Sequence, residues 1–275
     1  MTDIFEPTSW QMTLGERAAL EGVLSRVKPK LAVEIGTAEG GSLRRIAEHS
    51  EHVHSFDLVE PDPSTRELDN VTLHTGDSHR LLPTFLSEVA SDGGNIDFAL
   101  VDGDHSADGV QQDVENLLAS PAIARTVILI HDTANPEVRR GCEQVRLQGN
   151  QSVRYRDFDF VAGHLSHGGA YHLQLWGGLG LILVDDGLGP TQLDDQPPFY
   201  SFAELGSRVR DALQAAEDAG TEIAPGRAPA LQPSAPVGGE PNRGRSASAA
   251  VLGAGSGRIT ALLRRAAHTA RRRKG

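Results

Sequence analysis

Val33-Glu34-Ile35-Gly36-Thr37-Ala38-Glu39-Gly40-Gly41-Ser42 is the stretch that decides the fold. The apolar run ending in it, residues 31–35, reads as a buried strand that passes directly into a glycine-rich turn and then a helix over residues 42–48. Such a turn lets a ligand approach the backbone and offers it the amides of a helix N-terminus.

The same alternation extends in both directions. Upstream, residues 13–27 read as a helix with Thr13 as N-cap and Glu16 three positions on, a capping-box pattern. Downstream, strands are expected at residues 52–56, 71–74, 96–101 and 126–130, with helices near 79–89, 108–118 and 136–147 between and after them. Continuous rather than alternating apolar strands argue for a parallel sheet covered on both faces. Residues 177–184 and 153–160 read as a closing antiparallel pair at one sheet edge, and residues 202–219 as a final helix. The expected fold class is α/β, a doubly wound, Rossmann-like, mostly parallel sheet with an antiparallel edge pair.

Composition changes after Gly220. Residues 1–220 are expected to form the folded domain, residues 221–257 a Pro/Gly/Ala-rich disordered linker, and residues 258–275 a basic tail with a short helix. The net charge of −11 conceals this division, because the tail holds seven cationic residues and no acid, leaving −18 on residues 1–257. An acidic body disfavours nucleic acid as a partner. The tail is the segment suited to weak contact with an anionic membrane surface or another polyanion. No apolar run approaches the roughly 20 residues of a transmembrane helix, no leader pattern opens the chain, and the lone Cys142 fits a reducing compartment. A cytoplasmic location is expected; a homo-oligomer is compatible with the sequence.

The turn after the first strand has Gly-x-x-x-Gly spacing rather than the Gly-x-Gly-x-x-Gly of a dinucleotide site. Glu34 also weighs against a pyrophosphate, which a carboxylate would repel. S-adenosylmethionine carries a sulfonium and an ammonium group instead, and a carboxylate suits both. Asp57 ends the second strand 23 residues later, where it can accept the hydroxyls of a ribose. Gly76-Asp77-Ser78 follows the third strand, where a carboxylate can accept an adenine amino group. Each position alone is an ordinary turn acid; their register with successive strand ends is the signal.

With Val101-Asp102-Gly103-Asp104-His105-Ser106 and Ile130-His131-Asp132-Thr133, this motif series resembles that of class I methyltransferases, notably the small-molecule O-methyltransferases that tailor sugars and antibiotics. The resemblance spans roughly residues 30–145. It implies S-adenosylmethionine bound by Glu34, Gly36, Thr37, Gly40, Ser42, Asp57, Asp77, Ser78 and Asp102, and a small-molecule hydroxyl as methyl acceptor. Related metal-dependent families use an Asp after the fourth strand and an Asp-Asp or Asp-Asn pair after the fifth. Asp102 and Asp132 match the first two positions as ligands of Mg²⁺, and Thr133 departs from the third, for which a water, Asn135 or Glu60 are the substitutes.

A hydroxyl needs a base or a divalent cation before it attacks a methyl group. Asp104, then His105, then His131 are the candidate bases, since a free imidazole titrates near pH 6.5; His131 also reads as a buried residue capping the fifth strand. His164, His167 and His172 match no zinc spacing and read as a loop over the substrate. Trp176, Phe158 and Phe160 are candidates for the acceptor pocket or for plain strand packing. Transfer to nitrogen or a carboxyl group without a metal, and a non-catalytic binding protein, are the alternative readings; a NAD-dependent dehydrogenase is disfavoured by the glycine spacing.

Overall fold

The computed structural model describes residues 10–60, 63–147, 150, 152–187 and 201–220. The expected linker at 221–257 and basic tail at 258–275 lie outside the described residues. Contacts divide the chain into two units at Ser207/Arg208. The first holds the sheet; of the second, the described part is the C-terminal portion of a helix, α6 (Phe202–Asp218), and the two residues after it.

The helices before and between the parallel strands are α1 (Leu14–Val27), α2 (Gly41–His49), α3 (Ser78–Ser91), α4 (Ala107–Leu118) and α5 (Pro136–Gln144). The strands are β1 (Leu31–Ile35), β2 (His52–Asp57), β3 (Val71–Thr75), β4 (Phe98–Val101), β5 (Arg125–His131), β6 (Val153–Val161), the short pair β7 (His164–Leu165) and β8 (Leu175–Trp176), and β9 (Leu179–Asp185). Among the described residues, seven strands form one sheet in the order β3-β2-β1-β4-β5-β9-β6. Strand order reverses between β1 and β4, the place where doubly wound sheets bind ligands at their carboxyl ends.

The closing antiparallel pair stands at one sheet edge as expected. β9 runs antiparallel to both β5 and β6, so it sits one place inside the sheet and the edge strand β6 runs with the parallel set. The β7–β8 hairpin was not anticipated from sequence; at two residues per strand it gives no periodic signal.

Alternation along each strand builds two core layers. Val33, Ile35, Ala99, Val101, Ile128 and Ile130 pack with Leu82, Phe85, Val110, Val114 and Val138 of α3, α4 and α5. Ala32, Phe98, Leu100 and Leu129 pack on the opposite face with Leu20 and Leu24 of α1 and Leu43 and Ile46 of α2. Each fully buried Leu or Ile contributes roughly 1.5–3 kcal/mol against exposure. Among the described residues, no helix is long and apolar enough to cross a membrane.

Register positions the site. Ile35 pairs with Phe56 on one side and Val101 on the other, and Val101 pairs with Ile130. The next residue on each strand or loop, Asp57, Gly36, Asp102 and His131, therefore falls in one row across the sheet's carboxyl end.

Candidate active site

Of this row, Gly36, Asp102 and His131, but not Asp57, line a cleft of about 380 Å³. Its floor is Gly36, Thr37, Ala38, Gly41 and Ser42 from the glycine-rich turn, and its far wall is Asp102, His105, His131 and Asp132. Trp10, Gln11 and Met12 close one side, and His164, Ser166, Tyr171, Trp176 and Gly177 from the β7–β8 region close the other.

Two glycines in the turn are dictated by geometry. Gly36 has φ +90°, and a Cβ there would stand 2.0 Å from the Asp102 carbonyl oxygen. Gly40 has φ +78°, N-caps α2, and a Cβ there would meet Thr65 Cγ2 at 2.4 Å. L-residues disfavour both conformations. Asp57 fixes the turn from the side: its Oδ2 accepts from the Thr37 and Ala38 amides at 2.8 and 2.9 Å, and its Oδ1 from Val59 at 2.9 Å.

Glu34 departs from its expected place. Because side chains alternate along β1, it shares a face with Ala32 and points into the α1/α2 layer, fully buried. Its oxygens accept from Ser42 Oγ at 2.6 Å and Ser55 Oγ at 2.7 Å, and it does not line the cleft. Burial raises its pKa to about 8 against the pull of those two hydroxyls, with Asp102 and Asp57 adding to the rise. At neutral pH Glu34 is thus mostly a neutral acid under the turn rather than a carboxylate facing a ligand.

At the far wall, Asp102, His105 and Asp132 each offer a ligand atom, all within 4.8 Å of one another. His105 Nε2 stands 3.0 Å from Asp132 Oδ2 and 3.6 Å from Asp102 Oδ1. Hydrogen bonding to Asp102 and then to Asp132 lifts the His105 pKa to about 9, overcoming burial. Asp132 takes up a left-handed backbone, φ +57°, and its Oδ1 accepts from the Gly177 amide at 2.6 Å. Burial alone would raise the Asp132 pKa; bonding to His105, the charge of His131 and the Gly177 amide bring it below the ordinary value. The strained backbone is tolerable for Asp and turns the carboxylate toward His105.

His131 is 5% exposed and sandwiched between acids. Its Nδ1 lies 3.0 Å from Asp102 Oδ1, and its Nε2 lies 3.6 Å from Glu16 Oε1, an ion-pair separation beyond hydrogen-bond length. Burial works against its charge, yet Asp102, Glu16 and Asp132 together hold its pKa well above the usual histidine value. Glu16 is itself fully buried and accepts from the Thr13 and Gly178 amides as well. Burial would raise its pKa; His131 and Thr13 bring it down to about 2. Sequence reading saw Glu16 only as the second half of a capping box, which it also is.

Other expected residues stand elsewhere. Asp104 is exposed, and its Oδ1 accepts from the Ser106 amide at 2.8 Å. Its Oδ2 lies over Gly109 in the first turn of α4, where a Cβ would come within 2.2 Å, so the first-choice base is a turn-forming acid that does not line the cleft. Asp77 N-caps α3 through the His79 amide, and Ser78 donates to Asp113 at 3.0 Å; neither lines this cleft. Thr133 is buried against Gly178 and Gly180. Asn135 N-caps α5 and Glu60 pairs with Arg66, so neither joins the acidic group, where His105 stands third instead. Phe158 is buried in the core, and Phe160 does not line the cleft, whereas Trp176 does. Of the three loop histidines, His164 lines the cleft; His172 accepts from the Gly168 amide and contacts the His167 ring.

Residues 33–133 match a family model described as a methyltransferase domain. No curated protein matches the sequence. Solved structures do. The MycE methyltransferase of the mycinamycin biosynthetic pathway, determined with Mg, SAH and mycinamycin VI, is 16% identical with a TM-score of 0.45; the match covers 69% of this chain and only 55% of MycE. A putative O-methyltransferase from Klebsiella pneumoniae is 17% identical over 66% of this chain and 83% of its own, TM-score 0.43. The O-methyltransferase TomG from Streptomyces achromogenes, determined with SAM, is 16% identical over 63% and 81%, TM-score 0.44.

Proposed function

We propose that this chain, which carries a methyltransferase domain over residues 33–133 and resembles the class I methyltransferases, moves a methyl group from S-adenosylmethionine to a hydroxyl of a small molecule. One observation carries the reading: register brings the glycine-rich turn and the Asp102–His105–Asp132 group to facing walls of one cleft. The domain match supports the cofactor, and the turn fits it. Its glycines let a ligand approach the backbone closely, and Asp57, at the end of β2, braces the turn through the Thr37 and Ala38 amides.

The cofactor supplies an electrophilic methyl on sulfonium, and transfer needs a nucleophile aligned behind it. Tyr171 and Trp176, with Trp10 across the cleft, give it aromatic surfaces suited to a ring-bearing acceptor such as a sugar or natural product. Asp102, His105 and Asp132 would hold a divalent cation through two carboxylates and one imidazole, a donor set within the range of Mg²⁺ or Mn²⁺. A cation there would lower the pKa of an acceptor hydroxyl. With His131 protonated between Asp102 and Glu16, and His105 protonated or ligating, neither offers the free imidazole base that sequence reading expected.

Calorimetry of the purified protein with S-adenosylmethionine and NAD, with and without MgCl₂, tests the proposal. Binding of S-adenosylmethionine alone, with heat from Mg²⁺ that vanishes in Asp132→Asn, is expected. Binding of NAD in its place would overturn the cofactor; full methyl transfer in chelator would overturn the cation and favour a metal-independent acceptor.

A further inference from the structure

The donor set at the far wall differs from an all-oxygen site in one atom. Asp102 and Asp132 each bring a carboxylate oxygen, and His105 brings an imidazole nitrogen. Asn135, the amide that could have supplied a third oxygen, is turned to the start of α5, where it accepts from the Glu137 amide at 2.9 Å.

Each carboxylate is also held at one oxygen. Asp132 Oδ1 accepts from the Gly177 amide at 2.6 Å, which leaves Oδ2 on the side of His105, 3.0 Å from its Nε2. Asp102 Oδ1 is bonded to His131 Nδ1 at 3.0 Å, and Glu16 faces His131 from behind. These supports are fixed in their turn. Gly177 has φ +72°, and a Cβ there would stand 2.7 Å from Glu16 Oε1 and 3.1 Å from His164 Nδ1. The turn that delivers the amide therefore requires glycine, and the next amide, that of Gly178, is given to Glu16. The Trp176 ring meets His105 edge-on, with centroids 5.8 Å apart. Carboxylates and imidazole oriented from outside in this way resist rearrangement around an ion of the wrong size or chemistry.

Ca²⁺ collects roughly six to eight oxygens, often with one carboxylate engaged through both of its own. Mg²⁺ keeps its waters and favours oxygen donors, so an imidazole adds little for it. First-row transition ions accept nitrogen and oxygen together, with affinity rising from Mn²⁺ along the series. We propose that His105 makes this a site for a first-row transition-metal dication, of the Mn²⁺ or Fe²⁺ type, in preference to Mg²⁺ and Ca²⁺. This rests on the cation reading above and adds the class of ion. The imidazole selects; the Gly177 amide and His131 keep the two carboxylates to one oxygen each.

The test is titration of the full chain with Mn²⁺, followed by the ion's paramagnetic signal, with Mg²⁺ and Ca²⁺ as competitors. Wild type is expected to prefer Mn²⁺ over either by at least about a hundredfold. The spin-echo spectrum of bound Mn²⁺ should carry the modulation of a directly coordinated nitrogen. His105→Asp keeps three donors and makes all of them oxygen; with 41% of its side chain exposed, His105 can be replaced without opening the core. In that variant the nitrogen modulation should vanish and the preference over Mg²⁺ contract by about tenfold or more. His105→Asn, which brings an oxygen without a charge, should do the same and separates donor atom from net charge. Wild type that binds Mn²⁺ without nitrogen modulation, or binds the three ions alike, overturns the assignment and leaves a cation site standing. A preference unchanged in both variants overturns it as well. Absence of Mn²⁺ binding to wild type at millimolar concentration overturns this assignment and the cation reading together.

Discussion

His131 Nδ1 stands 3.0 Å from Asp102 Oδ1 while its Nε2 faces Glu16 Oε1 at 3.6 Å, so one imidazole joins the acidic wall of the cleft to the first helix. Glu16 in turn accepts from Thr13 and Gly178, which link the cleft-lining residues Trp10–Met12 to the turn before β9. Glu16→Ala leaves a buried imidazolium with one acid fewer and two amides without their acceptor. The expected loss is about 3 kcal/mol of folding stability. Urea unfolding measures it, and a double variant with His131→Leu should lose clearly less than the two single losses combined. Strict additivity would show that the two side chains do not interact.

The acidic group makes a prediction that separates neighbours in sequence. His105→Ala and Asp132→Asn each remove a ligand atom from the trio, and each should weaken Mn²⁺ binding by at least about a hundredfold, as seen by titration of the ion's paramagnetic signal. Asp104→Ala, one position from His105, removes only the acceptor for the Ser106 amide. It should cost about 0.5–1 kcal/mol of stability and leave Mn²⁺ binding as it was. The reverse pattern would reinstate Asp104 as the residue that matters.

That contrast shows where the sequence stopped being legible. The central strands were readable because β1, β4 and β5 are short, mostly apolar runs, while β2 and β3, interrupted by His54, Ser55, Thr72 and His74, were readable from their place in the β-α order, and the row at the carboxyl end follows from that order. Side-chain direction was not. Glu34 and Asp104 are acids near the carboxyl ends of β1 and β4, but alternation along β1 turns Glu34 into the helix layer and a local turn lays Asp104 over α4. Glu16 could not be assigned to the site, because its contacts with His131 and Gly178 depend on how α1 packs across 115 residues or more of sequence. His105 was read as a base because a neutral histidine near pH 6.5 suits that task; the two carboxylates that remove this option converge only in three dimensions.

Burial of Glu34 gives stability a definite pH dependence. Its pKa rises from the ordinary 4.5 to about 8 in the folded chain. Below pH 4.5 the group is protonated both folded and unfolded. Between that value and about 8 the unfolded chain releases the proton while the folded chain keeps it, so this group's contribution falls as pH rises. The decline should total a few kcal/mol, on the order of 1.4 kcal/mol for each pH step across that window. Glu34→Gln holds a neutral side chain at every pH and should flatten the profile measured by urea unfolding between pH 5 and about 8, so that the variant outlasts wild type in alkali. An unchanged slope in the variant would mean that Glu34 is ionised when folded.

Two glycines test whether the turn is shaped for a ligand or merely tolerant. Gly36 has φ +90°, and an added Cβ would press on the Asp102 carbonyl at 2.0 Å, a backbone atom that can yield only if β4 moves. Gly36→Ala should destabilise by more than about 2 kcal/mol. It should also abolish S-adenosylhomocysteine binding at temperatures where the chain remains folded, because displacing Asp102 disturbs both walls of the cleft. Gly22, in the middle of α1, has nothing within 4 Å of its Cβ direction and an ordinary helical backbone. Gly22→Ala should therefore stabilise by about 1 kcal/mol and bind the cofactor product unchanged. Equal thermal shifts and equal affinities for the pair would show that the turn between β1 and α2 is no more constrained than a solvent-facing helix.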